Sequence, residues 1–129
     1  MFDHLKEYSI YIKPGFTDMR KHADSLSLLV RSEMGLDSTE KSIFIFCGMD
    51  KKRVTAIVWD SNGWLEFSKR LACFGMSFKW PSTEKEAMSV QLADIEEMLR
   101  GGNPWRRFSH FYKNDGLYNL FSFKYFTLF

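Results

Sequence analysis

Three histidines, two cysteines and sixteen carboxylates are the groups from which this 129-residue chain would have to build catalysis or a metal site. Nucleophilic catalysis needs a nucleophile, a base and an orienting group held close together. His4, His22 and His110 fall on the N-terminal stretch, in the first helical segment and in the C-terminal tail, and no spacing ties them to Cys47 or Cys73. There is no CxxC pair, GxSxG, HExxH or glycine-rich phosphate loop. Both cysteines read as buried packing residues. Two-metal nucleases hold Mg²⁺ with several acids, and Asp18, Asp60 and Glu66 are the set to weigh. Each has an ordinary structural explanation: Asp18 at a helix start, Asp60 in a turn, Glu66 as a solvated strand residue. The expectation is a protein with no catalytic residues, no metal and no cofactor, and not an enzyme.

The remaining chemistry is cationic. Arg20-Lys21, Lys51-Lys52-Arg53, Lys69-Arg70 and Arg106-Arg107 are short basic clusters spread along the chain. Phosphates bind such groups with release of counterions, which makes the affinity depend on salt. Trp64, Trp80 and Trp105 would add stacking surfaces if exposed. The plainer reading is solvated charge and core aromatics, and both stay open. Adjacent Arg20 and Lys21 cannot both point into a core, and one of them is free to pair with Asp18 or Asp24. Eighteen basic against sixteen acidic residues give a net charge of +2, so nucleic-acid binding would have to come from a local patch rather than an overall field.

The elements that must position these residues follow from periodicity. Residues 8–13 form a strand closed by Pro14-Gly15. Met19, Ala23, Leu26 and Val30 recur at helical steps, predicting an amphipathic helix over residues 18–34 with Thr17 as N-cap, Asp18 in the first turn and Gly35 as the stop. Residues 43–47 are continuously apolar, as in a strand covered on both faces. After a Gly48–Lys52 turn comes a strand over residues 54–59. Asp60-Ser61-Asn62-Gly63 then makes a tight turn, with glycine accepting the positive φ, and a third strand runs from Trp64 toward Leu71. Short turns imply an antiparallel meander. Cys73 to Pro81 reads as a bend and a short strand ending at Trp80-Pro81. Leu92, Ile95 and Leu99 mark a second helix starting at Ser89 and ending at Gly101-Gly102. The predicted fold is α+β: an antiparallel sheet of four or five strands, in the order β-α-β-β-β-(β)-α, with two amphipathic helices packed on it.

Length suits one domain, placed at residues 1–107. Nine of the 22 aromatic residues fall in 108–129, an aromatic-rich tail in which Asn114-Asp115-Gly116 suggests a hairpin. The absence of long apolar runs, of a leader-like N-terminus and of a disulfide pattern predicts a reduced, cytoplasmic protein with no membrane association.

Five ordered blocks carry a resemblance: Pro14-Gly15-Phe16-Thr17-Asp18-Met19-Arg20-Lys21, then Ile43-Phe44-Ile45-Phe46, then Trp59-Asp60-Ser61-Asn62-Gly63-Trp64, then Lys69-Arg70-Leu71, then Phe78-Lys79-Trp80-Pro81. Over about residues 8–107 the chain resembles the small accessory protein of the IS-sixty-six family of bacterial insertion sequences, the TnpB or second-open-reading-frame protein. The motif positions are Thr17, Asp18, Met19, Asp60, Gly63, Leu71, Trp80 and Pro81. The resemblance implies a bacterial protein encoded beside a separate transposase, assisting transposition without catalysis. Its partners would be that transposase and DNA at the element ends. The RNA-guided nucleases that share the TnpB name are much longer and carry acidic motifs missing here. Met49, Asp50 and Thr55 stand where the family tends to have basic residues, the Leu71–Phe78 link is longer, and the tail has no counterpart. The leading expectation is a non-catalytic transposition factor contacting DNA through Arg20, Lys21, Lys51, Lys52, Arg53, Lys69 and Arg70. The alternative is a module that binds the transposase without touching DNA.

Overall fold

The structure, a computed structural model, describes residues 7–82 and 87–105. Its elements are β1 (Ser9–Ile12), α1 (Ala23–Ser32), β2 (Ser42–Cys47), β3 (Arg53–Asp60), β4 (Gly63–Arg70), β5 (Met88–Val90) and α2 (Leu92–Leu99). They form a five-stranded sheet in the order β4-β3-β2-β1-β5. The α+β class and the β2-β3-β4 meander are as expected. β1 and β2, joined through α1, pair in parallel while every other pair is antiparallel, so the sheet is mixed. A helix-sized crossover between neighbouring strands permits parallel pairing, which a short turn cannot.

β2 lies beside β1 at the centre of this order, and all six of its residues are buried. Alternation sends Ile43, Ile45 and Cys47 to one core and Phe44 and Phe46 to the other. The first core is closed by Ile95 and Met98 of α2 together with Phe78, Trp80 and Trp105. The second is closed by Ala23, Leu26 and Val30 of α1. The two helices therefore cover opposite faces, which is why β2 reads as an unbroken apolar run.

Several local expectations are corrected. Helix α1 begins at Ala23 with His22 as N-cap, not at Asp18 with Thr17, and it ends at Ser32. The Asp18 carboxylate accepts the backbone N–H of Arg20 two residues on, a local bond that turns the chain before the helix begins. Gly35 does end the segment: with φ +66° it lets the Leu36 amide donate to the Val30 carbonyl at 3.1 Å. In the β3–β4 hairpin, Asp60 faces Gly63 and the positive φ of 55° falls on Ser61, while Gly63 has none. The fifth strand is Met88–Val90, not the stretch ending at Trp80-Pro81, and Ser89 belongs to it rather than to α2. Gln91 caps α2, its backbone N–H bonded to the Asp94 carboxylate in a capping box.

The Trp80-Pro81 segment has a different task. The Trp80 indole N–H is shared between the carbonyls of Lys13 and Gly15, each at 3.0 Å, and the Pro81 carbonyl accepts the Gly15 amide at 2.9 Å. The ring also meets Trp105 edge-on, with centroids 6.0 Å apart. This pins the Pro14-Gly15 corner that leads out of β1. Trp80→Phe keeps most of the ring and removes the donor, leaving two carbonyls short of a partner. A loss of about 1–3 kcal/mol is expected, read as a lower urea midpoint at unchanged slope.

Candidate functional site

Beyond the Gly15 corner the chain is fixed again by the Thr17 amide, which donates to the Cys47 carbonyl at the end of β2 at 2.8 Å. Met19 then packs over the β2–β3 connection, with Cγ at 2.7 Å from where a Cβ on Gly48 would stand. Only glycine lets the backbone come so near. That connection closes through the Lys51 amide, bonded to the Gly48 carbonyl at 3.0 Å, with Lys51 itself at φ 58°. The result is a cleft of about 650 Å³ between the Phe16–Arg20 segment, the Gly48–Asp50 turn and the paired ends of β3 and β4.

Three arginines from three parts of the sequence, Arg20, Arg53 and Arg70, line this cleft with Phe16, Met19 and Met49. Arg53 and Arg70 are direct cross-strand partners. The neighbouring Leu71 amide bonds the Lys52 carbonyl at 2.8 Å, so alternation makes Arg53–Arg70 a non-hydrogen-bonded pair, in which the side chains are closest. Like charges placed so are destabilising, and neither arginine has an ion pair among the described residues. Arg20 is held differently. Its Nε and Nη2 contact both oxygens of Asp18, at 2.8 to 3.2 Å, so Asp18 is the partner and Asp24 is not. The second cleft acid, Asp50, accepts the Lys52 amide at 3.0 Å.

The other basic residues divide. Lys51 lies over the Phe16 ring, 5.7 Å from its centroid, at the rim of the cleft. Lys52 follows it in the same turn, and Lys21 is exposed beside Arg20. Lys69 is not brought in. Strand alternation turns it to the opposite face from Arg70, where its ammonium donates to the Leu99 carbonyl at the end of α2 at 2.9 Å, a favourable position for a cation. Arg106 and Arg107, His4 and His110, and the tail of residues 108–129 lie outside the described residues.

The three carboxylates weighed as metal ligands are dispersed. Asp18 is engaged by Arg20, and Glu66 faces His22 at 3.5 Å on the α1 side. Asp60 is at the far end of β3, seven residues from Arg53, roughly 23 Å at the strand rise. No group of three potential ligands occurs among the described residues. Cys47 is buried as expected, and burial, with the nearby Asp50, pushes its thiol up to about 12. Cys73 is exposed, contrary to expectation. A thiol reagent at neutral pH should therefore modify one cysteine in the folded protein, Cys73, and both in urea.

The motif positions have mostly structural tasks. Leu71 donates its amide to Lys52 and packs on the α2-side core. Trp80 and Pro81 hold the Gly15 corner, and Asp60 and Gly63 form the hairpin end. Thr17, Asp18 and Met19 belong to the cleft wall. Sequence reading missed Phe16 and Met49 as cleft residues. Phe16 beside a Pro-Gly corner was the available signal, since a bulky apolar residue there has no strand or helix to bury it.

The family whose sequence pattern matches is described as IS66 Orf2-like protein, and the match covers residues 8–109. The chain belongs to this family of insertion-sequence proteins, whose membership points to an accessory role in transposition. It is 33% identical over 97 residues to the uncharacterized protein y4hO of Sinorhizobium fredii, covering 75% of this chain and 82% of that one. No solved structure matches. No helix among the described residues is long and apolar enough to cross a membrane.

The Arg20–Asp18 pair has a pH signature. The guanidinium holds the Asp18 carboxyl well below the usual carboxylate range. A carboxyl depressed in the folded state contributes stability above its unfolded value, about pH 3.9, and loses it as pH falls through the lower folded value. Arg20→Ala should raise the Asp18 titration midpoint toward the ordinary value, observed by carboxyl NMR, and flatten stability against pH below about pH 4.

Proposed function

We propose that this protein is a non-catalytic accessory factor in transposition of a bacterial insertion sequence, and that it contacts element DNA through phosphates held at the Arg20–Arg53–Arg70 cleft. One observation carries the reading: Arg53 and Arg70, seventeen positions apart, are direct cross-strand neighbours in the same cleft as Arg20 with no ion pair of their own among the described residues. A phosphate between two guanidinium groups would convert their repulsion into paired, charge-assisted hydrogen bonds. Lys21, Lys51 and Lys52 extend the basic rim, while Lys69 is assigned to the α2 terminus. The proposed setting is the bacterial cytoplasm, beside the element's own transposase. Residues 108–129 are treated as an addition to a domain that ends near residue 107.

Phosphate contacts give weak sequence preference and steep salt dependence. In fluorescence anisotropy with element-end duplex, Arg70→Gln should lower affinity and reduce the salt slope by about 1. The same substitution should leave the unliganded protein as stable, or more stable by about 0.2–1 kcal/mol, because a like-charge cross-strand pair is gone. Opposite signs on binding and stability separate a ligand contact from a structural arginine. Absence of binding at low ionic strength would end the direct-contact reading.

A second reading rests on a separate observation. Phe67 on β4 and Phe74 and Met76 in the following loop are exposed, Phe74 completely. Exposed apolar side chains of this kind suit a protein partner, here the transposase. Co-purification of the two proteins without DNA, abolished by Phe74→Ser, would favour it.

A further inference from the structure

The cleft is built for more than a phosphate. A backbone contact on duplex DNA needs cations on an open surface, whereas here the three arginines stand in a concavity that also holds Phe16, Met19 and Met49, with Asp18 and Asp50 each engaged by a local hydrogen bond. Phe16 and Met49 are exposed, at 36% and 81%, and Met19 lines the same cleft. Exposed apolar groups have no folding reason to gather beside a repelling pair of cations. The volume, about 650 Å³, falls inside the roughly 300–1,000 Å³ range of sites that enclose small organic groups.

Deepening the DNA-contact reading, on which it rests, we propose that the cleft takes an unpaired nucleotide of single-stranded DNA. The phosphate lies between Arg53 and Arg70, and the base lies against Phe16 and Met49. Cationic tracks combined with ring surfaces are the way proteins hold single strands without reading sequence, since every base has a π-face. Lys51 above the Phe16 ring adds a cation at the entrance, 5.7 Å from the ring centroid. Asp18 fixes Arg20 in the wall by two-pronged contact, so that guanidinium is oriented before ligand arrives. A duplex keeps its bases stacked and can offer the cleft its phosphates alone.

The test is competition between oligo(dT) and a duplex of equal length, followed by anisotropy on the full chain at low salt. The single strand should bind more tightly. Phe16→Ala should weaken oligo(dT) binding roughly tenfold, within the range that stacking on one side chain contributes, and weaken duplex binding far less. Met49→Ala, at a solvent-exposed turn position that folding does not depend on, should weaken oligo(dT) in the same direction. Phe16→Trp should restore binding, with indole emission quenched by the stacked base. Arg70→Gln should weaken both DNA forms. If Phe16→Ala and Met49→Ala leave oligo(dT) unaffected while Arg70→Gln weakens both forms, the nucleotide assignment is overturned and phosphate contact stands. If neither DNA form binds, the assignment and the reading beneath it fall together.

Discussion

The indole N–H of Trp80, shared between the carbonyls of Lys13 and Gly15, decides where the chain goes after β1. A strand leaving the middle of a sheet can cross to either face. Here the Pro14-Gly15 corner is held from the α2 side by Trp80 and Pro81, and the next anchor is the Thr17 amide on Cys47. Between these two anchors lies Phe16, and just beyond them Asp18, Met19 and Arg20. The cleft therefore depends on a hydrogen bond donated from the opposite core. The last motif block of the sequence and the first are one mechanical unit, although Gly15 and Trp80 are 65 positions apart.

Within the cleft, charge is arranged in two ways. Arg20 is neutralised by its own neighbour and held in one orientation. Arg53 and Arg70 are set against each other by strand register, and folding energy elsewhere tolerates the repulsion. An eight-residue ladder between β3 and β4 supplies enough backbone pairing to hold a single unfavourable side-chain pair, whose cost is a fraction of a kcal/mol up to about 1. A free-standing pair of this kind is a standing preference for an anion. The buried hydroxyl of Thr17, which has no hydrogen-bond partner among the described residues, is a second polar imperfection in the same wall.

Most of the fold was legible from period and punctuation. The apolar run at residues 43–47 announced a strand covered on both faces, and Asp60-Ser61-Asn62-Gly63 announced the hairpin. What could not be read was pairing at a distance. Nothing local tells β1 to lie parallel to β2, because that choice is made by α1 packing across them. The helix start was misplaced because Met19 sits in helical phase with Ala23 and packs on the same core, yet it does so from the segment before the helix, against Gly48 and Thr55. Basic residues were recognisable as types, but their grouping depended on strand alternation: Lys69 and Arg70 are consecutive and go to opposite faces. Arg53 and Arg70 meet only because the hairpin register is two residues tight.

β4 is the outer strand of the sheet among the described residues, and its second half is exposed from Glu66 to Arg70. A long border of this sort offers unsatisfied amides and carbonyls to any other extended chain. Cations along it discourage that adhesion, since two copies meeting edge to edge would bring ammonium and guanidinium groups into register. Arg70 thus carries an obligation unrelated to any ligand, and an apolar replacement chosen merely to improve packing there would make that border more adhesive.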